Sequence, residues 1–183
     1  MSKTFATITP EVAELIGRQH LFFVATAPSG ADGHVNLSPK GLDTFSVLDE
    51  QTVAWVDLTG SGVETVAHLR DNGRITIMFC AFEGPPNIIR LYGRGVAHAI
   101  DSPRARELLD RFADHPGART VVTVAVDRVS TSCGYGVPRM TFDEDRSRLV
   151  EWAERRGPAG IAEYWAENNV ESIDGLAGMI DDG

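Results

Sequence analysis

Leu21-Phe22-Phe23-Val24-Ala25-Thr26, then Pro28-Ser29-Gly30-Ala31-Asp32-Gly33, then His34-Val35-Asn36-Leu37-Ser38-Pro39-Lys40-Gly41 is the stretch that decides the fold. The first segment is β-branched and aromatic, the second is a turn cluster, and the third alternates polar with apolar residues. Together they read as a β-hairpin. Working outward, further strands are expected at Thr52–Leu58, Arg74–Phe82, Ile88–Ile100 and Thr120–Ser130, with His34–Ser38 as the returning arm. Helices are fewer. Thr9-Pro10 is an N-cap with proline in the first turn, and Val12, Leu15 and Ile16 share a face of the short helix it starts. Val63 to Asn72 follows Thr59-Gly60-Ser61-Gly62 and stops at Gly73, and Ser102-Pro103 opens a third helix. Strands and helices do not alternate, so the pattern disfavours a doubly wound parallel sheet. It favours a mainly β, α+β antiparallel barrel.

The chain has 183 residues, 43% of them hydrophobic, and 17 basic against 26 acidic side chains for a net charge of −9. At this size folding buries roughly 70% of the unfolded surface, so one core forms without staples. The acidic balance and the lack of a Lys/Arg run argue against nucleic acid or an anionic membrane as partner. No run approaches the ~18 apolar residues of a membrane span, and Met1–Glu14 has no apolar stretch of signal-peptide length. The expected location is the cytoplasm, with Cys80 and Cys133 as free thiols. After Pro138 the character changes. Asp145–Arg156 and Pro158–Asn169 read as two helices with Leu149, Trp152, Ala153, Ile161, Tyr164 and Trp165 as apolar anchors. Residues 1–140 are thus expected to form the barrel and 141–183 a helical extension packed on it, with the Gly- and Asp-rich end from Asp174 fraying.

Three segments have the composition for chemistry. Asn36, Ser38 and Lys40 fall on one face of a strand by its period of two, a polar row ending in a cation that suits an anionic ligand with a hydrogen-bonding ring. The same row also suits a solvent-facing edge strand. Thr59-Gly60-Ser61-Gly62 through Thr65 leads into a helix, where small residues let N–H groups converge on phosphate; taken alone, the segment is first of all what plain capping of a strand-to-helix turn requires. Cys133-Gly134-Tyr135-Gly136 is a loop whose ring, Tyr135, would stack on a ligand or cap the barrel mouth. Asp57 ends an apolar strand and reads as a cap of the Thr59 turn. Arg90 and Arg94 share a strand face, available to a subunit contact or an anion. Five scattered histidines show no metal-ligand spacing, with a haem ligand left open.

In this order, from about Thr9 to Pro138, these segments resemble the pyridoxamine 5′-phosphate oxidase-like superfamily of FMN-binding split barrels, in an uncharacterised bacterial branch. The resemblance rests on Asn36-Leu37-Ser38-Pro39-Lys40-Gly41, the Thr59–Asn72 turn and helix leading into Gly73–Phe79, Leu91-Tyr92-Gly93-Arg94-Gly95, and Thr131–Pro138. It implies a six-stranded antiparallel Greek-key split barrel with peripheral helices and a C-terminal helical pair. It further implies a homodimer with FMN in a groove between subunits, and a flavin-dependent oxidoreductase acting on a small-molecule redox substrate. Val35, Asn36, Leu37, Ser38 and Lys40 would line the flavin, and Leu58, Thr59, Ser61 and Thr65 would meet it from the next strand end and turn. Arg90 would assist the phosphate. Glu64 and Thr65 stand where the biosynthetic oxidases carry an Arg-Lys pair, so a glutamate faces the anion here. A deazaflavin or haem, or a non-enzymatic binding protein, is the alternative that departure opens. The helix Ser102–Leu109 also lacks the set of Tyr, Arg and Ser at four-residue spacings that holds the pyridoxal phosphate group in the oxidases, which argues against authentic pyridoxamine phosphate oxidation.

Overall fold

The computed structural model describes residues 2–179. Its strands are β1 (Lys3–Phe5), β2 (Phe22–Thr26), β3 (Asn36–Lys40), β4 (Phe45–Val47), β5 (Thr52–Leu58), β6 (Arg74–Cys80), β7 (Ile88–Ala99) and β8 (Ala118–Ser132). All pair antiparallel in one sheet of order β3-β2-β6-β7-β8-β5-β4, with β1 on β8. The fold is the α+β split barrel, with eight strands where six were expected. β1 and β4 have three residues each, too short to show a period of two. β3 begins at Asn36 rather than His34, because the His34 N–H donates to the Asp174 carboxylate at 2.8 Å and leaves the ladder.

The sheet curls where bulges interrupt its register. Between Tyr92↔Arg128 and Gly93↔Val126, Asp127 is the extra residue. Gly93 is required there, since a Cβ would lie 2.0 Å from the Ala125 carbonyl oxygen. Val24, Trp55, Ile77, Leu91 and Val129 fill the interior at 0% exposure. Thr9 caps α1 (Pro10–Gly17) through Val12 N–H, and Val12 and Ile16 enter the same core. α2 (Glu64–Asp71) buries Thr65 to Leu69, and α3 (Pro103–Leu109) packs Ala105 and Leu108 on Val56 and Val121.

α4 (Arg148–Asn168) is the expected helical pair: Gly157, at φ 64°, breaks it before Pro158. Ala153 and Ile161 are its buried residues, and Trp152 meets Tyr164 edge-on across the break with Arg156 over both rings. The end does not fray from Asp174. Asp174 binds His34, Arg70 donates to the Gly178 and Met179 carbonyls, and Met179 N–H returns to Asn169. Residues 180–183 of that expectation lie outside the described residues.

Candidate functional site

Antiparallel pairing settles which way β3 faces, because residues directly opposite each other share a face. Ser38 opposes Val24, which opposes Ile77, which opposes Leu91, so Asn36, Ser38 and Lys40 face the barrel interior. Leu37 and Pro39 face outward with Ala25 and Phe23, and Val35 and Leu37 are 74% and 65% exposed. Arg90 opposes Met78, which opposes Phe23. Arg90 therefore lies on the outer face, opposite Lys40, and donates to Ser132.

The inward row runs into a polar seam. Asn36 Nδ2 donates to Thr26 Oγ1 at 3.1 Å and to Thr65 Oγ1 at 3.0 Å, joining β3 to α2. Thr26 Oγ1 also meets His68 Nδ1 at 3.0 Å. Ser38 Oγ and His68 Nε2 are buried without a partner among the described residues. Lys40 Nζ reaches Asp57 Oδ1 at 2.6 Å, across two strands that are not paired with each other. Asp57 is fully buried, and Arg119 grips its other oxygen through Nη2 at 2.6 Å and Nε at 3.1 Å. Burial raises the Asp57 carboxyl, but Lys40 and Arg119 outweigh it and hold the pKa down to about 2. Asp57 is thus an ion-pair centre rather than a turn cap. Two cations share one carboxylate, which leaves a surplus positive charge beside the seam.

Arg119 was missed because strand alternation alone would send it outward. The bulge between Asp57↔Thr120 and Leu58↔Ala118 makes it the extra residue and turns it onto Asp57. Its Nη1 donates to Gly62 O at 3.0 Å and Asn169 Oδ1 at 2.9 Å. Asn169, buried and more than a hundred residues from the turn, donates from Nδ2 to Gly60 O at 3.0 Å and Ser61 O at 3.4 Å. Three successive carbonyls of the turn are thus drawn to one side. A trans peptide sets its C=O and the next N–H on opposite edges. The N–H groups of Ser61, Gly62 and Val63 consequently turn away from Asn169 and Arg119, and none finds a backbone acceptor among the described residues.

The other expected residues separate. Thr59 is buried with its hydroxyl committed, donating to Gly117 O at 2.6 Å and accepting from Trp165 Nε1 at 2.8 Å. Ser61 is exposed. Leu58 packs with the α3 cluster. Glu64 folds over Gly62, where a Cβ would sit 2.3 Å from its Oε2, and accepts from Ile173 N–H at 3.4 Å. Its carboxylate therefore lies beside Gly62 at the start of α2. Tyr135 is 82% exposed, and its loop docks through Gly134 on Asn87 in the β6–β7 turn.

Residues 8–133 match the family described as pyridoxamine 5′-phosphate oxidase. The chain belongs to that family. UstO of Aspergillus flavus, a pyridoxamine 5′-phosphate oxidase family protein, is 41% identical over 179 residues, covering 88% of this chain and 72% of UstO. HupZ of Group A Streptococcus, at 27% identity and a TM-score of 0.51, covers 67% of this chain and 91% of HupZ. An FAD-binding protein from Mycobacterium smegmatis shares the fold at 14% identity and a TM-score of 0.51, over 71% of this chain and 98% of that one. Among the described residues no helix is long and apolar enough to cross a membrane, and no group of His, Cys, Asp and Glu is arranged to hold a metal ion.

In this family member, His68 has a consequence for stability. Burial lowers its pKa from 6.5, against weaker opposing pulls from Asp174, Glu64 and Asp71. The folded imidazole stays neutral where the unfolded one takes up a proton, so stability is full above pH 6.5 and declines as pH falls below it. Urea melts on either side of that pH should show the decline, and His68→Gln should reduce it. An equal decline in the variant would place its origin elsewhere.

Proposed function

We propose that this protein is an FMN-dependent oxidoreductase of the cytoplasm, acting on a small-molecule redox substrate other than pyridoxamine phosphate. The observation that carries the reading is the Gly60–Val63 turn. Its carbonyls are withdrawn and its amides are free, beside a buried cluster with one surplus positive charge. Such a turn suits a phosphate, and family membership makes a flavin phosphate the natural occupant. The amides of Ser61 to Val63 and the Ser61 hydroxyl would hold the phosphate, with Lys40 adding positive charge and Thr65 placing β3 through Asn36. Val35 to Ser38 would offer backbone and side chains to the ring. The bound flavin would supply the hydride chemistry, and the chain would orient it.

A second copy completes the proposed groove. Leu37 stands exposed on the outer face of edge strand β3, the face that also carries half-exposed Phe23, Met78 and Arg90, and Val35 is exposed just before the strand. Apolar residues on an open sheet edge call for a cover, and a second chain against this face would bring Arg90 and Tyr135 into reach of a shared cofactor. Absorption spectroscopy of the purified chain titrated with FMN, paired with sedimentation, tests both statements. The expected result is a dimer with a perturbed flavin spectrum that bleaches on reduction and is reoxidised by an added substrate. Leu37→Glu should shift it to monomer and weaken FMN. A Soret band, or bound flavin without turnover, would favour a carrier or sensor instead.

A further inference from the structure

We infer that Asn169, in the C-terminal extension, is a positioning residue of the anion-binding turn, so that this extension is a working part of the flavin site. The inference rests on the proposed function and adds a determinant of phosphate selectivity to it. No polar side chain of the turn itself fixes its polarity. The Thr59 hydroxyl is spent on Gly117 and Trp165, and Val63 provides no side-chain cap for α2. What holds the Gly60 and Ser61 carbonyls inward is the amide of Asn169, a residue at 0% exposure whose Oδ1 is fastened by Arg119. Its backbone is fastened too, by N–H to Trp165 O and by O from Met179 N–H, both within 3.0 Å. Gly178 closes over the assembly so tightly that a Cβ would lie 2.4 Å from the Asn169 carbonyl oxygen and 2.6 Å from Val63. A chain of hydrogen bonds thus runs from the extension through Asn169 and Arg119 to Asp57 and Lys40, with a branch to the turn.

Asn169→Leu, of similar volume, removes the N–H groups that hold the two carbonyls and adds no charge near the phosphate. Arg119 loses Asn169 Oδ1 but keeps its bonds to Gly62 O and Asp57, so a loss confined to FMN reports the direction of the turn amides. FMN and riboflavin, which differ by the phosphate, are titrated against wild type and variant by flavin fluorescence. FMN affinity is expected to fall about tenfold, the worth of one charge-assisted contact, with riboflavin nearly unchanged. Equal losses for both ligands, or no loss, would overturn the inference. A second measurement needs no variant: amide hydrogen exchange of the wild type should slow over residues 61–63 with FMN and not with riboflavin. Flavin binding without that protection overturns the positioning role alone. Failure of the wild type to bind any flavin overturns the proposed function with it.

Discussion

Arg119→Met is expected to destabilise the fold by about 3–5 kcal/mol, the cost of removing one partner from a buried ion pair. The substitution leaves Asp57 at 0% exposure with Lys40 as its remaining cation, and it strips donors from Gly62 O and Asn169 Oδ1. Replacing both members, as Asp57→Val with Arg119→Met, should cost less than Arg119→Met alone. The double variant holds no stranded carboxylate, and Lys40, 20% exposed, can turn to water. Denaturant melts of the wild type and the two variants decide the point, and a double variant weaker than Arg119→Met would refute the ion-pair account. The same pair sets an acid limit. With Asp57 held to about 2 against 3.8 unfolded, its contribution is complete above the unfolded value and is lost as pH falls through that window. The amount is about 2 kcal/mol. In Asp57→Asn that part of the acid transition should vanish.

The second large effect concerns charge at the proposed phosphate site. Lys40→Ala should weaken FMN about tenfold or more, since a charge-assisted bond to an anion is worth ~1.5–3 kcal/mol. Thr65→Ala should cost less, because Thr65 acts through its bond from Asn36. Glu64→Lys should tighten FMN. It withdraws the carboxylate that folds over Gly62 and puts a cation beside the phosphate, at a helix-dipole cost of only ~0.3–1 kcal/mol. Riboflavin should respond little to any of the three. Parallel shifts for FMN and riboflavin would show that the turn is structural and that the phosphate lies elsewhere. This test is independent of Asn169, whose variant changes the direction of the amides and leaves the charges of Lys40 and Glu64 in place.

The sequence by itself determined what depends on a residue and its near neighbours. Thr9-Pro10 and Ser102-Pro103 begin their helices through side chains that accept from N–H groups three residues on. Five of the six longer strands follow from β-branched or aromatic runs bounded by turn residues, and in the sixth, β3, alternation puts Asn36, Ser38 and Lys40 on one face. Gly157-Pro158 breaks the last helix, as the pair of expected segments required. Tertiary structure decided which side of the sheet that face became, because register with β2 and β6 joins it to the core and sends Arg90 to the other side. It also decided that Asp57 is an ion-pair centre, since a bulge in β8 and a strand that does not pair with β5, β3, both had to arrive there. Nothing around Asn169 marks it as polar machinery, for its side-chain partners lie 50 to 109 residues away. Period and capping are written in neighbouring residues, whereas register, bulges and the return of the C-terminal segment depend on which distant surfaces can be buried together. A buried polar side chain takes its role from the partners it meets there.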